Sequence, residues 1–306
     1  LQSNNYSFEE AVNSYGISIQ LKFLENLHWY DFGHLEELHK AREKFTTERS
    51  FNNLKINKYE VKKTSKKRSK IFYEYNWFKN MPSHLQKFLP NVYGFQEDDN
   101  QASYSMNYIS GFSLSELMLF SNLEKFKWIN IMNELSNFIE LQEMKIPKNS
   151  EHIAQKNMNF ILHTKNKERV NEIVKSGFVS ESENLTFDNY SLGNINEVVL
   201  DLTRIVEKFP CIPAFCHGDL CFSNIIYLSR GNIIKLIDPR GIGSESDNVI
   251  GDKRYDLAKI CHSLIWGYDR ILSGDITFDR SGNTFFETTK VSLNKNKEIL
   301  KEISIN

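Results

Sequence analysis

Residues Phe215 to Gly241 read FCHGDLCFSNIIYLSRGNIIKLIDPRG. They hold His-Gly-Asp at 217–219, then Asn224, then Ile-Asp-Pro-Arg-Gly at 237–241. Asn224–Tyr227 and Asn232–Ile237 are apolar and β-branched, and Ser229-Arg230-Gly231 lies between them, so a hairpin is expected here. The short spacing from Asp219 to Asn224 suits a tight loop that turns both side chains into one cleft. The hairpin would then return Asp238 beside Asn224. One carboxylate in this set can take a proton. An amide and a second carboxylate suit a hard cation such as Mg2+, which prefers such oxygens to thiolates or imidazoles.

Working outward, Ser50–Ile56 and Lys58–Thr64 read as strands joined at Asn57. Val61 and Lys63 share one face of the second strand, so Lys62 points the other way. Lys66, Lys67 and Lys70 belong to a basic run that reads as a solvated loop. Ile71–Asn80 is expected to be a helix with Ile71, Tyr75 and Phe78 on one side and Glu74 within it, stopped at Met81-Pro82. Leu89–Phe95 and Ala102–Ile109 are two further strands across an acidic turn. Residues 47–110 thus form a small antiparallel sheet with one helix.

From Gly111 the chain reads as mainly helical. Ser113 and Glu116 make a capping-box pattern. Lys125–Glu143 is amphipathic through Phe126, Ile129, Leu135, Phe138, Ile139 and Leu141. Glu151–Val174 and Ile195–Phe209 continue as helices, with Ser176–Asn189 a polar loop between them. Beyond the quoted stretch, Asp252–Asp269 is a long amphipathic helix, and residues 276–306 read as a strand pair and a Lys-rich helix. The fold class is α+β in two lobes, residues 47–110 and 111–306.

HGDLCFSN followed by IDPRG resembles the aminoglycoside phosphotransferase and choline kinase-like family, a branch of the protein-kinase-like fold. The resemblance spans about Thr47 to Asp269 in element order. It implies an ATP- and Mg2+-dependent phosphotransferase with a small antiparallel-sheet N-lobe that binds ATP and a mainly helical C-lobe. On the matching positions, Asp219 is the catalytic base and Asn224 and Asp238 are the magnesium ligands. His217 is a structural histidine bonded to backbone near Asp238. Lys63 positions phosphate and pairs with Glu74, and Met106–Tyr108 is the hinge that takes the adenine edge. Asp256 anchors the catalytic loop. Arg240 contacts phosphate or an anionic substrate, or braces the loop; bracing is preferred. Two features depart from a protein kinase: no G-x-G-x-x-G loop precedes Lys63, and no A-P-E stop follows Asp238. Both favour a small-molecule acceptor: a sugar, an amino alcohol or an aminoglycoside. Trp128, Trp266 and Tyr268 would supply an aromatic wall for a quaternary ammonium, unless they are core. An acidic cleft beside Asp219 would favour a cationic amine, and a neutral one a sugar. The alternative is a non-catalytic kinase-like module that binds nucleotide or a partner.

Residues 1–46 read as an extension, with a helix at Phe8–Tyr15, a strand at Ile17–Phe23 and a turn at Asp31–Gly33. His28, His34 and His39 lack the Cys or carboxylate support of a metal site. WYDFGHL resembles the closing segment of bacterial sugar-nucleotidyltransferase domains, which implies association with such a domain and a role in cell-surface glycan synthesis. The net charge of -1 gives no electrostatic case for nucleic acid or a membrane surface. No apolar run nears the roughly 18 residues of a membrane span, and the four cysteines make no C-x-x-C pair. The expected setting is cytoplasmic, with reduced, buried thiols.

Overall fold

In the computed structural model the chain divides into two units, Leu1–Thr46 and Thr47–Asn306. The residues described are Gly16, 52–240, 249–288, 296 and 298–300. The elements and histidines expected within residues 1–46, and most of the terminal helix, lie outside them.

The second unit begins with β1 (Asn52–Ile56), β2 (Glu60–Ser65), α1 (Arg68–Asn80), β3 (Val92–Glu97) and β4 (Ala102–Asn107). The four strands form an antiparallel sheet in the order β1-β2-β4-β3. In β2 burial alternates, so Val61, Lys63 and Ser65 face inward and Lys62 faces outward. Lys63 lies opposite Tyr104 and Val61 opposite Met106. A slip of one residue would reverse every side chain, so the register is what buries Lys63.

α1 starts three residues earlier than expected. Lys70, taken as part of a solvated loop, lies in its first turns. The Ser65 hydroxyl accepts the Lys67 N–H at 3.2 Å and turns the chain into the helix. The inner face is Ile71, Glu74, Trp77 and Phe78, and Tyr75 is only partly buried. A carboxylate therefore occupies a position that hydrophobic periodicity would give to an apolar side chain.

The remainder is mainly helical: β5 (Phe112–Ser113), α2 (Leu114–Phe120), α3 (Lys125–Leu141), α4 (Ser150–Asn159), α5 (Asn166–Lys175), β6 (Leu185–Phe187), β7 (Tyr190–Gly193) and α6 (Ile195–Glu207). The Ser113 capping box forms as the pattern indicates, and Asn194 and Glu197 make a second one at α6. α3 buries Trp128, Ile131, Leu135, Phe138 and Ile139. Phe126 and Ile129 are exposed, because the buried stripe runs through Trp128 and not through the earlier apolar residues. Residues 176–184 form no strand, as expected of a loop, but β6 occupies the end of that stretch and β7 follows it; they form one sheet with strands about a hundred residues away, which local sequence does not announce.

The chain then runs through β8 (Pro213–Phe215), β9 (Ile225–Leu228), β10 (Ile233–Leu236), β11 (Ile250–Asp252), α7 (Lys253–Leu264), α8 (Tyr268–Leu272), β12 (Phe278–Ser281) and β13 (Thr284–Glu287). The expected hairpin is β9–β10, with Ile225 opposite Leu236. The helix expected over 252–269 breaks into α7 and α8 at Gly267, whose φ of 67° favours glycine. One core joins Trp77 and Phe88 to Phe138, Phe222, Ile225 and Leu236. Trp128 belongs to it, fully buried and donating to Asn296 Oδ1 at 3.1 Å. Trp266 and Tyr268 are exposed and pack on His262. Cys216 and Cys221 are buried, Cys211 and Cys261 partly so, and all four are free. Among the described residues no helix is long and apolar enough to cross a membrane.

Candidate active site

Three separate elements converge on Lys63. Its Nζ lies 2.7 Å from Glu74 Oε2 of α1 and 2.9 Å from Asp238 Oδ1, which follows β10. Lys63 and Glu74 are almost completely buried. Burial works to lower the Lys63 pKa, but the Asp238 and Glu74 carboxylates outweigh it and raise it. Burial raises the Glu74 pKa against the pull of Lys63. The Tyr104 hydroxyl also donates to Glu74 at 3.1 Å. Lys62, by contrast, reaches only Gln96 at the surface.

The loop carrying Asp219 is held from below. Asp256 on α7 is fully buried and accepts the N–H groups of His217 at 2.7 Å and Gly218 at 2.9 Å. Gln142 donates to the same carboxylate at 2.8 Å. His217 meets the Ile237 carbonyl through Nε2 at 3.0 Å, and its Nδ1 accepts the Asp219 N–H at 3.3 Å. An accepting Nδ1 requires the proton on Nε2, so the ring is neutral. Burial lowers its pKa despite the Asp256 and Asp219 carboxylates. The loop is also tied to the sheet-bearing part, since the Trp77 indole donates to the Cys216 carbonyl at 2.7 Å.

Asp219 itself faces two cations. Arg240 Nε lies 3.0 Å from its Oδ2 and Lys259 Nζ lies 3.1 Å from its Oδ1. Burial works to lower the Lys259 pKa, and Tyr255 and Asp219 raise it. A carboxylate has about four lone-pair positions, so one on each oxygen remains for a substrate hydroxyl. Asn224 is buried and donates its Nδ2 to the Asp219 carbonyl at 2.9 Å, while its Oδ1 accepts from the Ser223 hydroxyl at 3.5 Å and keeps a lone pair for a cation. The Ile237 N–H donates to the Asn224 carbonyl at 3.0 Å, so the hairpin does bring Asp238 back to Asn224. Asp238 has φ 55°, a left-handed conformation that a non-glycine residue holds only when its surroundings fix it.

Among the described residues, no group of three or more His, Cys, Asp or Glu side chains could hold a metal ion. Asn224 and Asp238 supply two hard oxygens. That fits Mg2+, which commonly takes one or two protein oxygens and completes its shell with phosphates and water. At the expected hinge, Met106 is buried in β4. The N–H groups of Asn107 and Tyr108 are donated within the chain, to the Asn91 carbonyl at 3.0 Å and the Tyr59 carbonyl at 2.8 Å.

Lys259, Gln142 and Trp77 are contributors that the sequence reading missed. Lys259 had a legible signal. It stands three residues after Asp256 on one helix, so both face the same way. Gln142 and Trp77 reach the loop from distant segments and left none.

No protein-family model matches the sequence, and no curated protein matches it. The solved structures it resembles include aminoglycoside phosphotransferases and an ethanolamine kinase. It overlays on aminoglycoside phosphotransferase APH(4)-Ia at a TM-score of 0.45 and 12% identity, covering 74% of this chain and 76% of that one. For aminoglycoside-3'-phosphotransferase of type VIII the values are 0.35, 14%, 88% and 99%. For Plasmodium vivax ethanolamine kinase they are 0.42, 14%, 87% and 76%. At these TM-scores the overlays lend no weight to any residue assignment, which rests on the contacts above.

Proposed function

We propose that this chain is an ATP-dependent phosphotransferase acting on a hydroxyl of a small molecule, with Asp219 as the base. The observation that carries the reading is the convergence of sheet, helix and hairpin on Lys63. A buried cation bridging Glu74 and Asp238 is placed to position a phosphate and is of little evident use to a bare core. Asp219 lies on the loop that the same hairpin leaves.

In this reading the acceptor hydroxyl binds at Asp219. Its oxygen forms a bond to the γ-phosphorus of ATP as the bond to the β-phosphate oxygen breaks, and ADP leaves. The hydroxyl proton passes to the Asp219 carboxylate. Arg240 and Lys259 hold that carboxylate in place through one lone pair on each oxygen. Asp256 and His217 keep the loop rigid, so the alignment is set before substrate arrives. Asn224 and Asp238 would hold Mg2+, which neutralises phosphate charge when bound. Met106 and Tyr108 border the adenine.

The test is acceptor-dependent ATP consumption in the presence and absence of Mg2+, across a panel of hydroxyl compounds. Formation of ADP and a phosphorylated acceptor in equal amounts is expected. ADP-binding protein that transfers to no acceptor would instead favour a nucleotide-binding module without turnover.

A further inference from the structure

A cavity of about 930 Å³ adjoins the reacting groups and is strongly basic. Among the described residues, Lys66, Lys67, Arg68, Lys70, Lys165 and Arg240 line it, against two carboxylates, Glu74 and Glu97. Both acids are already engaged: Glu74 with Lys63 at 2.7 Å, and Glu97 with Arg68 at 3.3 Å. The first turn of α1 opens onto the cavity with no acidic residue in it, so the helix dipole adds to the positive field. Burial lowers the Lys70 pKa, with Glu74 opposing and Lys63 and Arg240 adding to the shift; burial lowers the Lys165 pKa, and Arg240 and Arg169 lower it further. An anion in the cavity would relieve that repulsion.

On the phosphotransferase reading, the cavity is separate from the nucleotide position. Lys63, Met106, Tyr108, Asn224 and Asp238 are absent from its walls. It shares with the reacting groups only Glu74 and Arg240, and Arg240 Nε sits 3.0 Å from Asp219. A group in the cavity thus lies one side chain away from the oxygen that would receive an acceptor hydroxyl. The charge beside Asp219 is neither acidic nor neutral. A cationic amine would be repelled there, and an uncharged sugar would draw nothing from the excess of basic over acidic side chains in the described lining.

We propose that the acceptor is anionic: a hydroxyl compound whose phosphate monoester or carboxylate sits in this cavity while its hydroxyl meets Asp219. This rests on the phosphotransferase reading above. Arg240 then spans the two, one face on Asp219 and the other toward the anion. The role of bracing, preferred from sequence, becomes one of coupling.

The experiment uses the full chain with saturating ADP, so that the nucleotide position is filled. The probes are glucose 6-phosphate, glucuronate and glucose, together with glycerol 3-phosphate and glycerol, and choline as the cation. The anionic members are expected to bind about ten-fold or more tighter than their neutral parents, as one added charge-assisted contact would give. Binding should weaken from about 0.1 to 1 M salt, as the Debye length falls from ~10 to ~3 Å. Lys165→Gln should cost that preference and Lys165→Arg should keep it. The phosphate and carboxylate members decide between the two anion types. Anion binding that ADP abolishes overturns the proposal, because the cavity would then be holding nucleotide phosphates. With ATP in place of ADP, transfer to neutral or cationic members in preference to anionic ones overturns the acceptor assignment alone. Transfer to no member at all overturns the phosphotransferase reading with it.

Discussion

Two ion pairs flank the candidate site and stand in opposite surroundings. Lys63 and Glu74 are each 3% exposed, whereas Arg240 is 49% exposed and its partner Asp219 13%. The sealed pair has little access to water, so its charges depend on each other and on Asp238 and Lys70 beside them, and together they lock α1 to the sheet. In the open pair, water can replace either partner, so little stability is at stake and the contact is free to respond to a ligand. The first pair serves the fold as well as the place of Lys63 beside the phosphates, and the second serves the reaction with little at stake in the fold. The comparison predicts that substitutions in the two will move different quantities.

The largest effect falls on turnover. Asp219→Asn keeps the shape of the side chain but cannot accept the hydroxyl proton. Acceptor-dependent kcat should fall by about 10²–10⁴-fold. Unfolding free energy should move by about 1 kcal/mol or less, since the charges released on Arg240 and Lys259 reach water. Steady-state kinetics and urea melts on the same preparation separate the two. An unchanged kcat would remove Asp219 from the mechanism.

Lys63→Met should do the reverse in stability. It leaves the Glu74 carboxylate buried with only the Tyr104 hydroxyl, at 3.1 Å, and Lys70, at 3.7 Å, beside it among the described residues. The loss should be about 3–5 kcal/mol. Adding Glu74→Gln removes the stranded charge, so the double variant should recover part of that loss in a double-mutant cycle. Additive losses would show that the pair is not coupled.

His217 extends the contrast to pH. Burial depresses its pKa below the unfolded value of about 6.5. Below that pH the unfolded chain takes up a proton that the folded chain refuses. Stability should therefore be level above pH ~6.5 and fall as pH drops, by at most about 1.4 kcal/mol per unit, until the folded pKa is reached. His262 is depressed in the same direction, so the measurement belongs in a His262→Gln background. A flat denaturation profile there down to about pH 5.5 would sink this account.

The sequence told most where chemistry and local pattern coincide. Residue spacing placed Asp219, Asn224 and Asp238 together, and strand alternation separated Lys63 from Lys62, because both depend on neighbours along the chain. It told least where partners are remote. The β6–β13 pairing joins Thr186 to Thr284, and neither strand exceeds four residues. Phe126 and Ile129 fit the amphipathic period of their helix yet are exposed, because an apolar side chain carries no mark of which face of a helix meets a partner. The basic run at 66–70 is the instructive case. As a string it looks like a solvated loop, and only Arg240 and Lys165, brought in from far along the chain, make it one wall of a cavity.

Arg240→Gln should have the smallest effect on the fold, and it isolates what the open pair contributes. Its backbone N–H to the His217 carbonyl, at 3.0 Å, survives the substitution. Only the side-chain contact to Asp219 is lost, and Lys259 remains on the other carboxylate oxygen. Unfolding free energy should change by less than about 1 kcal/mol, and the difference should shrink further at high salt. A loss as large as that of Lys63→Met would mean that Arg240 is structural after all, and that exposure had misled the comparison. A small loss together with a raised KM for acceptor would place Arg240 where its geometry puts it, between the base and the molecule it acts upon.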